Sequence, residues 1–175
     1  MSGKLVKRKG GELAVSGARS QIPEFLGEDV ADLLLINDGD LSYGNIRFDE
    51  RSISTLRTNF KNITDPLARA LCAAAAWDML RDAESSASDF VPLALGGMRT
   101  ENDIAIVQMA IIQTETAIEM FATPTHRDGL RTIQTEGLKA LLDQSEAGSD
   151  HQLAFARAFA GAAANAVDPK HLEYV

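Results

Sequence analysis

Apolar and polar residues follow two different periods along the chain, and the change comes near residue 49. Before it, short alternating or wholly apolar segments lie between glycines and turn residues, a pattern typical of β-strands. These segments are residues 4–7, 12–15, 21–25, 32–36 and 41–48. So few strands cannot close a sandwich by themselves, so the pattern predicts a partial β-sandwich over residues 1–48.

After residue 49, apolar residues recur every three to four positions, which predicts amphipathic helices. Short breaks separate them, so neighbouring helices are expected to form antiparallel pairs. The predicted fold class is therefore α+β, mainly α. The strand segment, residues 1–48, precedes a domain of helical pairs, residues 49–175, arranged as a HEAT-like α-solenoid or bundle.

The stretch 64–84 is expected to be the central helix. Asp65 can cap its start, and Pro66 fits the first helical position, where no backbone N–H is needed. Every residue from 70 to 77 is apolar, so neighbours should cover more than one side, and Trp77 should be largely buried. A membrane span is excluded because charged residues interrupt the run, namely Arg69, Asp78 and Arg81.

Capping residues predict where the later helices begin and end. Ser88 is expected to start a short helix that Gly96-Gly97 stops. Residues 100–103 resemble a capping box for a long helix with an inward stripe of Ile104, Val107, Ile111, Ile118 and Phe121. Ser149 and Gln152 form a second capping box, and Asp168-Pro169 predicts the start of a last helix.

Composition excludes several classes of function. The 175 residues are 45% hydrophobic with a net charge of −8, which argues against general nucleic-acid binding. The basic cluster near the start is expected to be a solvated strand face rather than a phosphate-binding arm; it contains Lys4, Lys7, Arg8 and Lys9.

The single cysteine, Cys72, allows no internal disulfide and fits a buried thiol in a reducing compartment. No signal peptide or membrane segment is apparent, so we expect a cytoplasmic location.

No residue stands out as catalytic, cofactor-binding or metal-binding. Each of the three histidines falls near the start of a predicted helix: His126, His151 and His171. We expect them to lie at the surface or to make contacts at the helix ends rather than to bind a metal. The spacing at the end of the central helix predicts a structural ion pair in which Arg81 pairs with Asp78 or Asp82. The acidic turn at residues 37–40 is no EF-hand loop, because aligning Glu50 with its last ligand places Gly39 at the first.

Three stretches resemble aminopeptidase N-type zinc aminopeptidases, a gluzincin family. They are DLLLINDGDLSY at residues 32–43, closed by IRFD at 46–49, then LARALCAAAAWDM at 67–79 and GSDHQLA at 148–154. The resemblance extends from about Gly3 to Val175. None of these motifs is catalytic in the family.

The resemblance implies a structural part of such an enzyme. In the family, a zinc-binding catalytic domain removes N-terminal residues from peptides, and a helical C-terminal domain helps to enclose the peptide-binding cavity. The zinc-binding motif and the G-A-M-E-N segment are not found in this sequence. The resemblance therefore implies that this chain contains part of the β-sandwich domain and the first half of the helical domain. It also implies that the chain has no catalytic activity by itself. Zinc and the peptide substrate would belong to the full enzyme, whose catalytic domain would be the partner.

An alternative hypothesis is a stand-alone helical-repeat adaptor that binds a protein partner. An adaptor should have polar capping helices, whereas both ends of this sequence suggest a truncated domain. A truncated domain would expose apolar edges and self-associate. The candidate edges are the strand side at Leu5, Val6, Leu13 and Val15 and the C-terminal side at Phe155, Phe159, Leu172 and Val175.

Overall fold

A computed structural model describes residues 5–166 and residue 170, and its regular structure is helical. Six α-helices follow one another from residue 50 onward, and we refer to residues 50–166 as the helical body. They are α1 (Glu50–Asn59), α2 (Pro66–Arg81), α3 (Ala87–Met98), α4 (Ile104–Thr116), α5 (Pro124–Gln144) and α6 (Asp150–Ala164). Short 3-10 turns lie at Pro23–Phe25 and Phe60–Asn62, and a π-helical turn, Ala117–Phe121, extends α4.

The predicted N-terminal strands are wrong. Within residues 5–48, which we call the N-terminal segment, the described backbone forms no sheet; Leu5 makes one isolated bridge to Ile63. Its backbone–backbone hydrogen bonds close local turns, such as Asp40 N–H to the Asn37 carbonyl at 3.0 Å. An alternating pattern stabilises a strand only when a neighbouring strand pairs with it. The fold class is therefore a helical bundle rather than α+β.

The central helix is α3 rather than α2. Seven of its twelve residues are buried, and it contacts α1, α2, α4 and α5. Its cap is Ser86, whose side chain accepts a hydrogen bond from Asp89 N–H, so the expectation of Ser88 was wrong. The helix also continues through Gly96-Gly97. A Cβ at Gly97 would lie 2.7 Å from Cε1 of Phe60, so this glycine permits close packing instead of stopping the helix.

Helix α2 lies between two apolar clusters. The larger cluster joins α3 to α4, α5 and α6, whereas the smaller one joins α1 and the α1–α2 connection to α2 and α3. Cys72 and Met79 are buried in the smaller cluster. Trp77 packs against the larger cluster, with its ring centroid 5.2 Å from that of Phe90 and 6.1 Å from that of Phe121. Trp77 keeps some exposed surface but is mostly covered by these neighbours, which agrees with the prediction of a largely buried side chain.

Side-chain caps explain most helix starts. Asp65 accepts hydrogen bonds from the amides of Leu67 and Ala68, which confirms the predicted start of α2. The Ser149 hydroxyl accepts from Gln152 N–H at 3.1 Å, and the Gln152 side chain accepts from Gly148 N–H at 2.8 Å. Asp103 caps α4 alone, without the capping box expected there. The predicted helix after Asp168-Pro169 lies outside the described residues.

Helix α4 and its π-helical turn form one long, largely apolar helical stretch. By length and composition, residues Ile104–Phe121 could cross a membrane, yet Val107, Thr114 and Ile118 are buried in the helical body. In the inward stripe predicted for this helix, Val107 and Ile118 are fully buried, and Ile104 and Ile111 are partly buried. The prediction was wrong for Phe121, which is 40% exposed although its ring packs on Trp77. The helix thus has one side in the core of a folded domain.

Candidate functional site

The two described histidines make contacts at helix starts. At the start of α5, Nδ1 of His126 lies 2.9 Å from the Thr123 hydroxyl. At the start of α6, Nε2 of His151 lies 3.2 Å from the carbonyl oxygen of Glu101, and its ring faces Phe155. The third histidine, His171, lies outside the described residues. Both described rings therefore hold local structure at the positions where the sequence placed them.

The thiol of Cys72 is not in a nucleophilic state. It is fully buried, and burial, followed by the negative charge of Asp38, raises its pKa to about 12. A nucleophilic cysteine needs a substantial thiolate fraction near neutral pH. Cys72 therefore fits the buried structural thiol that the sequence predicted.

The charged residues at the end of α2 form structural ion pairs. Arg81 lies 3.8 Å from Asp78 in the same helix. Asp82 instead pairs with Arg47, which also reaches Glu84 at 2.5 Å. Arg47 thus links the N-terminal segment to the helical body. This role of Arg47 was not predicted from the sequence, because its two partners lie more than thirty positions away along the chain.

Acidic neighbours in the N-terminal segment neutralise the basic cluster. Lys7 Nζ lies 2.5 Å from Asp38, which raises the pKa of Lys7. Lys9 Nζ lies 2.6 Å from Glu28 and lowers the pKa of that carboxyl group. Arg8 donates to the Asp29 carbonyl at 2.8 Å, and Lys4 lies outside the described residues. The cluster does not lie on a strand, which corrects the predicted strand face.

A buried arginine connects the α1–α2 junction to the start of α4. Arg69 Nη1 donates to the carbonyl oxygens of Ile63 at 3.0 Å and Thr64 at 3.3 Å, and Nη2 lies 3.5 Å from Glu101. The other Glu101 oxygen accepts from the amides of Asn102 and Asp103. The Nε atom of Arg69 is buried without a hydrogen-bond partner. These contacts already engage the Glu101 carboxylate, which makes it a poor general base.

A polar cleft of about 230 Å³ lies where the α3–α4 connection meets the α5–α6 turn. Its apolar wall comes from the buried side chains of Met98, Leu141 and Phe155. Its polar rim includes Arg99, Asn102, Gln144, Glu146, Ser149 and His151. The sequence did not predict this cleft, because its residues come from segments about fifty positions apart. It has room for a small polar group.

The donor groups do not fit a zinc ion. Within residues 5–166 and 170, no three histidine, cysteine, aspartate or glutamate side chains converge on a possible metal position. A zinc site in a protein needs three or four such ligands. Many of the described polar residues are instead engaged in helix caps and ion pairs, such as Asp65, Asp103 and Arg47.

Comparison with known proteins identifies the domain. Residues 33–175 match the family described as the ERAP1-like C-terminal domain. The chain is also 46% identical, over 162 residues, to an aminopeptidase N of Streptomyces lividans. This alignment covers 93% of the chain but 19% of the relative, so the chain spans about one fifth of that protein's length.

This chain belongs to the ERAP1-like C-terminal domain family. The resemblance to aminopeptidase N-type proteins inferred from the residue motifs is therefore confirmed. The comparisons place the chain with the helical part of such proteins and not with a catalytic domain.

Proposed function

We propose that the chain is a structural domain of an aminopeptidase N-type zinc enzyme, in which it helps to enclose the peptide-binding cavity. The observation that carries this proposal is the 46% identity to an aminopeptidase N over almost the whole chain. The helical body supports it, because stacked helices provide a rigid wall for a cavity. In this proposal the catalytic domain is the partner, and the peptide is bound only by the full enzyme.

Zinc would be held outside this chain. His126 and His151 are already hydrogen-bonded at helix starts, and Cys72 is a buried, protonated thiol. When bound in the catalytic domain, zinc would activate the water that attacks the peptide bond. The role of the present residues is mechanical: they position the cavity wall and keep its helices packed.

A chimera tests this role. In the Streptomyces lividans relative, the 162 matched residues would be replaced by those of this chain, and hydrolysis of amino-acid p-nitroanilides would be measured. The unchanged relative and a version lacking the matched segment are the controls. We expect the chimera to remain active and the deletion to be inactive, because the wall positions the cavity.

The isolated chain provides the complementary measurement. With added zinc, residues 1–175 should hydrolyse the same substrates no faster than the blank. Chelator-sensitive turnover that disappears when His126, His151 and His171 are replaced would contradict the structural role. A folded but inactive chimera would also contradict it.

A further inference from the structure

The polar cleft between the α3–α4 connection and the α5–α6 turn has the dimensions of a site for a very small ligand. Its volume is about 230 Å³. Pockets for drug-sized molecules measure roughly 300–1,000 Å³, so this cleft suits a molecule of about the size of one amino acid. Its apolar wall, formed by Met98, Leu141 and Phe155, is at most 4% exposed in each side chain. A ligand that fits the cleft should therefore have an apolar part.

The rim of the cleft carries two opposite charges that the protein leaves unpaired. Arg99 and Glu146 both line the cleft, and both are exposed. Neither side chain makes an ion pair or a hydrogen bond with any of residues 5–166 or 170. Glu101, on the same rim, is already engaged by Arg69. An unpaired cation and an unpaired carboxylate beside one apolar wall are the complement of a zwitterion with an apolar side chain.

Two amide side chains add hydrogen-bonding capacity to the rim. Asn102 and Gln144 line the cleft, and their amide groups have no hydrogen-bond partner within the described part of the chain. An amide group offers both donors and an acceptor, so it can bind a carboxylate or an ammonium group. The neighbouring hydroxyls are already used, since Ser145 donates to the Leu141 carbonyl at 2.8 Å and Ser149 donates to the Glu146 carbonyl at 2.7 Å.

The charges of the cleft disfavour a simple anion or a metal ion. Its rim contains one arginine and two glutamates, and the chain has a net charge of −8, so a phosphate or sulfate ion would be repelled. A zinc ion needs three or four converging ligands, which the described residues do not supply. A zwitterion has no net charge, and it can gain from both of the unpaired rim charges.

We propose that this cleft binds a free amino acid with an apolar side chain, such as leucine or methionine. Arg99 pairs with its α-carboxylate, Glu146 pairs with its α-ammonium group, and the side chain packs against the apolar wall. The choice of ligand rests in part on the proposed function, because an aminopeptidase releases free amino acids as its product. Exposed ion pairs contribute little individually, so we expect a Kd on the order of 1 mM.

NMR titration of the isolated chain with L-leucine tests the proposal. The backbone amide signals of Asn102, Ser149 and His151 should shift with one saturable Kd, whereas those of α1, which contributes no residue to the cleft, should not shift. L-Leucinamide lacks the carboxylate and N-acetyl-L-leucine lacks the ammonium group, so each should bind at least about tenfold more weakly. No saturable shift at about twenty times the expected Kd would overturn the proposal. Equal binding of N-acetyl-L-leucine would also overturn it, because the ligand would then be the carboxyl terminus of a peptide.

Four charge-neutralising variants test the assigned contacts. Arg99→Gln and Glu146→Gln should each weaken the binding of L-leucine by about tenfold. The matched controls Arg51→Gln and Glu136→Gln change exposed charges outside the cleft and should leave the affinity unchanged. Circular dichroism checks that each variant keeps its helices, which is expected because all four side chains are exposed. Leucine affinity that is unchanged in both cleft variants would contradict the proposed site.

The result can be separated from the test of the proposed function. Leucine binding is measured on the isolated chain, whereas the cavity-wall role is measured by the activity of the chimera. An active chimera together with a chain that does not bind leucine would keep the proposed function and overturn this inference. An inactive chimera together with leucine binding that Arg99→Gln weakens would contradict the proposed function and support the site.

Discussion

The N-terminal segment and the helical body both contain many apolar residues, but they bury them very differently. In the helical body, Val91, Val107 and Leu138 have almost no exposed surface. In the N-terminal segment, most large apolar side chains are exposed, among them Val6, Val15, Leu26, Val30 and Leu41. An α-helix satisfies its backbone hydrogen bonds internally, so helices can associate through one face. An extended segment must find another strand, and this one has none among the described residues.

Attachment of the N-terminal segment to the helical body depends on a few contacts. Phe48 and, in part, Leu33 and Leu35 pack against the smaller apolar cluster. Leu34 N–H donates to the Ser52 hydroxyl at 3.0 Å, and Arg47 makes its ion pairs with the end of α2. The comparison indicates that the helical body supplies nearly all of the stability.

The largest effect is expected in the central helix. Phe90→Ala removes a buried ring that packs against Trp77, and should lower the free energy of unfolding by about 3–5 kcal/mol. The matched variant Leu26→Ala removes an exposed side chain from the N-terminal segment and should cost less than about 0.5 kcal/mol. Urea denaturation followed by circular dichroism measures both. Equal losses would show that the two regions share one core.

The next effect concerns the buried arginine. Arg69→Met removes the donor to the carbonyls of Ile63 and Thr64 and leaves Glu101 without its cation, which should cost about 1–3 kcal/mol. Arg57→Met breaks an exposed ion pair with Asp89 and should cost at most about 1 kcal/mol. A smaller loss for Arg69→Met than for Arg57→Met in the same denaturation assay would contradict the assigned role.

A pH-dependent effect is expected from Cys72. Its pKa rises from an ordinary value of 9.0 to about 12 in the folded chain. Above pH 9 the unfolded chain releases this proton while the folded chain keeps it, so the stabilising contribution falls as pH rises from 9 towards 12. Between pH 8 and pH 10, the wild type should lose about 1 kcal/mol more than Cys72→Ala. Identical pH profiles would place the thiol in a solvated position.

The smallest effect belongs to exposed residues of the N-terminal segment. Tyr43→Ser and Val15→Thr should each change the free energy of unfolding by less than about 0.5 kcal/mol, because both side chains are exposed. Thermal unfolding of the two variants checks this. A loss of several kcal/mol from either one would reveal a packed structure in this segment.

Sequence reasoning succeeded where structure is local. The Asp65 cap, the Ser149–Gln152 capping box and the buried side of α4 follow from residues within one or two turns. The same reasoning failed where distant segments decide the outcome. The predicted strands lacked pairing partners, and α3 became the central helix although the all-apolar run lies in α2.

The candidate sites show the same limit. The expected apolar edge at Phe155 and Phe159 is wrong, because both rings are buried in the larger cluster; Leu172 and Val175 lie outside the described residues. The exposure of Ile106, Met109 and Ile112 on α4 was not predicted, since an apolar helix pattern does not reveal which side faces the core. The Arg69–Glu101 contact was likewise invisible, because its partners are thirty-two positions apart. Division of the chain into domains at residue 48 stays a prediction.

Hydrogen exchange of the isolated chain, followed by mass spectrometry, tests most directly whether the helical body is the self-sufficient structural unit. Amides of α3 should exchange slowest, because they open only with global unfolding. Amides of the N-terminal segment should exchange almost at once, since few of them donate hydrogen bonds within the described structure. Protection across residues 12–36 as strong as in α3 would contradict this account.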